Sequence, residues 1–331
     1  MTRSTSSYDH LYQPALLRRA WRLVQLGGPA GGVDAVNVDQ FARRAGSELP
    51  RIADQLRRRQ YCFQPVRRAK IKKPGGGQRT LGIPTIADRI VGQAVRLVIE
   101  PHVEPHLSAA NYAYRPQRDA HRAIDKLLEF RRGGRYWWLE SDVKDFFDSI
   151  VHRQLLRLLG RYVSDATLLD LVAQFLRTSA TCGGGWFGSA RGVPQGSPLS
   201  PLLSNLYLDP FDRALAQRGH RVIRYADDLV VCCHGRDAAE SARREVAREL
   251  RRWGLHCPGS TSFICTRTCG TIANCRQACH LRSIFMKPWY VAPGGICQRN
   301  TFLTIFRTGS SAVSRFPHSK QLAHRSPAGV K

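Results

Sequence analysis

Apolar residues fall at helical spacing at Leu11, Ala15, Leu16, Leu17, Trp21 and Val24, which predicts an amphipathic helix over residues 10 to 26. A glycine-rich break follows, Gly27 to Gly32. Val38 to Gln60 then reads as one or two basic helices, with Arg57, Arg58 and Arg59 on the solvent side. From Gln64 to Ile83 the pattern turns β-like: VRRAKIKK, a turn PGGG, then QRTLGI, a hairpin with cations on both arms. Helical patterns return over residues 86 to 104 and 118 to 131. Tyr136 to Val143 (YWWLESDV) is a strand by its aromatic and β-branched content and ends in an acidic cluster. Helices are expected over His152 to Tyr162 and Asp165 to Thr178, followed by a loop rich in Gly and Pro from Cys182 to Pro201. Val222 to Cys233 (VIRYADDLVVCC) reads as strand, tight turn, strand, and Ala238 to Arg252 as a charged amphipathic helix. No internal repeat is visible.

At 331 residues the chain has room for a sizeable core and for two or three domains. Apolar content of 43% excludes a disordered chain, but the net charge of +26 is far from ordinary. A surface that basic attracts polyanions, and nucleic acid is the commonest large one. No apolar run reaches the roughly 18 residues that span a bilayer, and MTRSTSSYDH holds no apolar segment of signal-peptide length. A cytoplasmic protein away from membranes is therefore expected. Its ten cysteines then read as reduced thiols, not as a disulfide framework.

Two segments put carboxylates where a metal site can form. One is the strand end Ser141-Asp142-Val143-Lys144-Asp145-Phe146-Phe147-Asp148; the other is the hairpin tip Tyr225-Ala226-Asp227-Asp228. If their strands neighbour each other in one sheet, Asp142 and Asp227 sit side by side. Adjacent carboxylates repel unless a cation lies between them. Mg²⁺ is the natural partner, because it takes one or two carboxylates plus substrate phosphates. Such a pair suits two-metal nucleotidyl transfer, with ions about 3.5–4 Å apart. Alone, an Ala-Asp-Asp turn reads equally well as a solvated turn.

The ordered set of motifs says more. The chain carries IKKPGGGQRTLGIPTIADR (71 to 89), NYAYRP (111 to 116), DVKDFFDSI (142 to 150), GVPQGSPLSPLLSNLYL (192 to 208) and RYADDLVV (224 to 231). This series resembles the successive blocks of group II intron-encoded reverse transcriptases, from near GGVDAVNVDQF (31 to 41) to about Leu255.

The resemblance implies an α+β, right-hand polymerase with fingers and palm, the palm an RRM-like antiparallel sheet backed by helices. Asp142 and Asp227 match the metal-ligating aspartates and Asp228 the second Asp of the tip, with Val143 counted among the ligands of two Mg²⁺ ions. The implied partners are an RNA template, a DNA primer, dNTPs and the chain's own intron RNA. Lys73 and Arg79 match cations that hold the incoming triphosphate; the family usually has Pro where this chain has Lys72, so either lysine can make that contact. Phe147 matches the aromatic ring beneath the incoming sugar, which a ribose 2′-hydroxyl would strike, so DNA synthesis is implied. One of Phe146 and Phe147 is expected in the core. Gln195 matches the nucleotide-pocket glutamine. Arg115 reads as a template contact or as a plain salt bridge, in a block that departs from the family's S-x-G-F-R-P.

Past Leu255 the resemblance fails. All 25 acidic residues lie in residues 1 to 249, while the remaining 82 residues carry 12 Lys plus Arg. No lysine occurs between Lys144 and Lys287, so the family's Gly-Leu-x-Leu-H-P-x-K-T block is missing, and F-L-G is absent too. The expected division is therefore residues 1–135 as N-terminal extension and fingers, and 136–255 as palm with fingers elements interleaved at about 150–190. Residues 256–331 read as a basic, cysteine-rich tail, disordered or derived from a frameshift, with the thumb absent or aberrant and activity weak. A competing reading gives the tail zinc, through Cys265-x3-Cys269 and Cys275-x3-Cys279-His280. Rival functions are a retron or defence-type reverse transcriptase and a non-catalytic splicing helper that grips intron RNA through Arg43, Arg44, Arg57, Arg58 and Arg59.

Overall fold

The computed structural model describes residues 7–72, 78–180, 190–257 and 261–266. Helix α1 (Pro14–Gln25) begins on a proline, whose missing N–H costs nothing in a first turn. It buries Leu17, Ala20, Trp21 and Val24. The basic segment after it is one helix, α2 (Val38–Arg57), held at its start by a capping box between Asn37 and Gln40. Trp21 and Phe41 pack with ring centroids 4.9 Å apart and join the two helices. Arg57, Arg58 and Arg59 are exposed.

Strands β1 (Arg67–Lys72) and β2 (Gln78–Ile83) pair antiparallel from Arg67↔Ile83 to Lys72↔Gln78. The turn between them, with Lys73, lies outside the described residues. Thr85 then caps α3 (Ile86–Val103), which is buried nearly all round and against which α1 packs.

The remaining elements build the larger sheet and its two covers. These are α4 (Ala120–Arg132), β3 (Trp137–Ser141), α5 (Phe146–Ser149), α6 (His152–Leu159), α7 (Ala166–Ala180), α8 (Ser200–Gln217), β4 (Arg221–Tyr225), β5 (Asp228–Cys233), α9 (Arg236–Arg252) and β6 (Ser262–Cys265). The sheet is antiparallel in the order β4-β5-β3-β6. Period-2 alternation sorts its side chains between two apolar clusters. Trp138, Ile223, Val230, Cys232 and Ile264 pack with Ala123 and Leu127 of α4. Leu139, Val222, Leu229, Val231 and Cys233 join the main core, where α8 and α9 lie against the sheet. A sheet covered on both faces explains why the second arm of the acidic hairpin, Leu229 to Cys233, reads as a continuous apolar run.

β6 lies beyond residue 255, where the palm was expected to end. Its short alternating run puts Ile264 opposite Trp138, and the edge of the sheet is completed from inside the stretch read as an aberrant tail. Four residues within a Cys- and Thr-rich segment are too few for periodicity to announce a strand. The other proposed zinc ligands, Cys269, Cys275, Cys279 and His280, lie outside the described residues. Among the described residues no helix is long and apolar enough to cross a membrane.

Candidate active site

The acidic hairpin turns in two residues. Tyr225↔Asp228 is its last pair, and Ala226 and Asp227 make the turn. The neighbouring strand β3 pairs with β5 through Ser141↔Leu229, and the Val143 N–H donates to the Asp227 carbonyl at 3.1 Å. The ladder therefore keeps register to the tip. One step on from Ser141↔Leu229, Asp142 faces Asp228, and Asp227 stands beside them in the turn. Facing residues on such a rung have Cβ atoms about 4.5–5.5 Å apart. Asp228 is buried, Asp142 and Asp227 are half-buried, and one oxygen of Asp227 is fully enclosed.

Ala226 takes φ +60°, a left-handed conformation that costs an L-residue roughly 1–2 kcal/mol. Its carbonyl accepts from Arg224 Nη1 at 2.9 Å. The same guanidinium donates through Nε and Nη2 to Asp212 on α8, at 2.9 and 2.7 Å. Neither partner reaches solvent: the side chains are 1% and 0% exposed. Burial pushes the Asp212 carboxyl up, and the Arg224 charge and hydrogen bonds pull it back.

Among the described residues no three His, Cys, Asp or Glu side chains converge on a ready-made metal cluster. Magnesium does not require one, since it binds through one or two carboxylates and completes its shell with substrate phosphates and water. The β3–β5 ladder brings Asp142 to the same end of the sheet as the Asp227–Asp228 turn, and carboxylates are the hard-oxygen donors this ion takes.

The family profile for reverse transcriptase (RNA-dependent DNA polymerase) matches residues 71–269, more than half of the chain. The chain belongs to the reverse transcriptase family. Its relatives include Protein YkfC of Escherichia coli, 32% identical over 73% of this chain and 74% of that protein. Another is the group II intron-encoded protein LtrA of Lactococcus lactis subsp. cremoris, 32% identical over 64% of this chain. The chain spans only 35% of LtrA's length. A solved structure of a partial Cas6-RT-Cas1--Cas2 complex aligns at TM-score 0.46 and 27% identity, covering 76% of this chain and 42% of that one. The family match runs past residue 255 and takes in β6.

Around the reverse transcriptase tip, main-chain contacts draw the other sequence-predicted residues together. Asp145, at φ 46°, turns the chain into the short α5, where Phe146 is core and Phe147 is half-buried. The Phe147 carbonyl accepts from the Val193 N–H at 2.8 Å, two residues before Gln195. A Cβ built on Gly82 of β2 would lie 3.6 Å from the Gln195 carbonyl, so the root of the basic hairpin abuts the same loop. In the backbone ladder Lys72 pairs with Gln78 and Ile71 with Arg79.

Arg115 makes the salt bridge, the second of its two expected roles. Its Nε donates to Glu104 at 2.8 Å and its other nitrogens to the carbonyls of Ser108, Asn111 and Glu104, leaving the side chain 6% exposed. It ties down the loop beside β4. Two further features escaped the sequence reading. Arg224 carried a signal, a charge beside the apolar Val222 and Ile223 of β4, and a charge buried within a strand has to be paired. Cys257 carried none: the Lys144 N–H donates to the His256 carbonyl at 2.9 Å, which brings this cysteine against Ser141 and Asp142. Burial pushes its thiol up, a hydrogen bond with Ser141 opposes that, and the Asp142 charge adds to the rise.

Proposed function

We propose that this chain is an RNA-directed DNA polymerase of the group II intron type, with Asp142, Asp227 and Asp228 as its catalytic carboxylates. The observation that carries this reading is the single ladder that holds Asp142 across from the Asp227–Asp228 turn, from segments far apart in sequence. Asp142, Asp227, Asp228 and the Val143 main chain would hold two Mg²⁺ ions, which supply charge neutralisation for attacking and leaving oxygens. The chain's own residues do the rest. Lys72 or Lys73, with Arg79, grips the triphosphate; Arg does so with a planar fork and Lys as a point charge. Phe147 blocks a ribose 2′-hydroxyl, and Gln195 lines the nucleotide pocket. With the nucleotide so oriented, the primer 3′-oxygen bonds to the α-phosphorus and the bond to pyrophosphate breaks.

RNA template, DNA primer and the chain's own intron RNA are the partners this reading requires. The missing Gly-Leu-x-Leu-H-P-x-K-T and F-L-G blocks point to a defective thumb, so weak or absent activity is expected. Primer extension on oligo(dT)-primed poly(rA) tests the proposal. Asp227→Asn should lower the incorporation rate by about a thousandfold or more while the melting temperature holds, the scale on which electrostatic stabilisation of a transition state operates. Undiminished incorporation by Asp227→Asn would remove the assignment, and RNA binding without any synthesis by the wild type would favour the splicing-helper role.

A further inference from the structure

A catalytic turn must hold its carboxylates to within fractions of an ångström, yet this one is built on an unfavourable residue. Type I′ and II′ hairpins normally place Gly, Asn or Asp where φ is positive. Here the first turn residue is Ala226, at φ +60° and with its side chain buried. Something outside the turn has to keep it there. The only hydrogen bond that the Ala226 carbonyl receives from a side chain among the described residues comes from Arg224.

Arg224 is itself anchored from three sides. Asp212 takes two of its nitrogens in a bidentate pair, Asn205 Oδ1 accepts from Nη1 at 3.3 Å, and the residue's main chain is locked to the loop before α4. In that lock the Arg224 N–H donates to the Ala110 carbonyl at 2.8 Å, and its carbonyl accepts from the Tyr112 N–H at 2.9 Å. Asn205 in turn donates from Nδ2 to the Ala113 carbonyl at 2.8 Å. The guanidinium thus joins α8, the 110–113 loop and the turn in one buried network.

We infer that Arg224 is a positioning residue for catalysis: clamped by Asp212 and Asn205, it fixes the Ala226 carbonyl and so sets where the Asp227 and Asp228 carboxylates stand. The inference rests on the assignment of those aspartates as catalytic. Arg is required because three partners must be met at once by a rigid fork; a lysine carries the charge but lacks the planar geometry. Asp212 is required because an unpaired guanidinium in this position would be a buried, uncompensated charge.

The test is single-nucleotide incorporation by the full chain, titrated with Mg²⁺, for wild type, Arg224→Lys and Asp212→Asn, with Asp227→Asn as control. In both positioning variants the Mg²⁺ concentration for half-maximal rate should rise about 5- to 20-fold and kcat should fall at least about tenfold, with the KM for dNTP within about threefold. The half-maximal Mg²⁺ concentration does not depend on how much of the preparation is folded, so partial unfolding of a variant does not obscure it. Thermal melts report any purely structural loss separately. Lower yield or stability with an unchanged Mg²⁺ requirement would overturn the inference and reduce Arg224 to a buried strut. An active Asp227→Asn would instead overturn the catalytic assignment itself.

Discussion

At the scale of single residues, what the sequence made legible was chemistry borne on side chains, and what it hid was the partners of those side chains. Asp142, Asp227 and Asp228 stand out as acids in apolar strands, whereas the commitment of Arg115 to Glu104 and to three carbonyls depends on a loop path that no periodicity encodes. Asp88 is a further case. It sits in IPTIADR and reads as one more surface acid at a helix start, but it is buried and accepts from Tyr61 (2.8 Å), Thr85 (2.7 Å) and the Gln64 N–H (3.2 Å). Burial raises its carboxyl from 3.8 to about 6, and those hydrogen bonds work against the rise. The folded chain therefore holds this proton more tightly than the unfolded one. Asp88 contributes stability below its unfolded pKa and loses it as pH climbs through about 6. The full shift is worth on the order of 3 kcal/mol, of which roughly 1 kcal/mol falls between pH 5 and 7. Denaturant unfolding at those two pH values should show the wild type losing about that much more stability than Asp88→Asn. Equal losses in the two proteins would mean that Asp88 titrates normally.

At the scale of elements, the amphipathic helices follow from hydrophobic spacing, because each has one wet face to contrast with a dry one, and the two hairpins follow from their turn residues and β-rich arms. Helix α8 does not: Leu202, Leu203, Leu206, Tyr207, Leu208, Phe211 and Leu215 are all buried, and a helix dry all round shows no period. The Gly27–Gly32 segment, read as a mere break, is a packed collar. The carbonyls of Gly28 and Ala30 accept from Arg89 of α3, and that of Gly31 accepts from Arg67 of β1 at 2.9 Å. Main-chain acceptors leave no trace in a side-chain pattern. Gly32 presses so close to the cap of α3 that a Cβ would lie 2.5 Å from the Thr85 nitrogen, with backbone that cannot swing aside. Gly28 has nothing within 4 Å of the same position. Gly32→Ala should cost about 1–3 kcal/mol by overpacking, and Gly28→Ala should stay within about 0.5 kcal/mol of wild type. Urea midpoints for the two variants check this, and a neutral Gly32→Ala would show that the collar is not seated against Thr85.

At the scale of the whole molecule, order and charge were the legible features: five motifs in sequence, and 51 Lys plus Arg against 25 acids. The surplus is not a property of the tail, since residues 1–249 hold 39 of those basic residues together with every acid. Nor are the acids spread so as to neutralise the N-terminal helices, where Arg18, Arg19, Arg22, Arg43, Arg44, Arg57 and Arg59 are exposed. Polyanion binding by such a surface releases condensed counterions, and its affinity falls steeply with salt. If the chain neutralises on the order of six or more phosphates, its affinity for an unstructured RNA oligonucleotide should drop about a thousandfold between roughly 50 and 200 mM salt. Fluorescence anisotropy across that range measures the slope directly. A fall of less than about tenfold would mean that only one or two phosphates are engaged. The basic excess would then serve solubility.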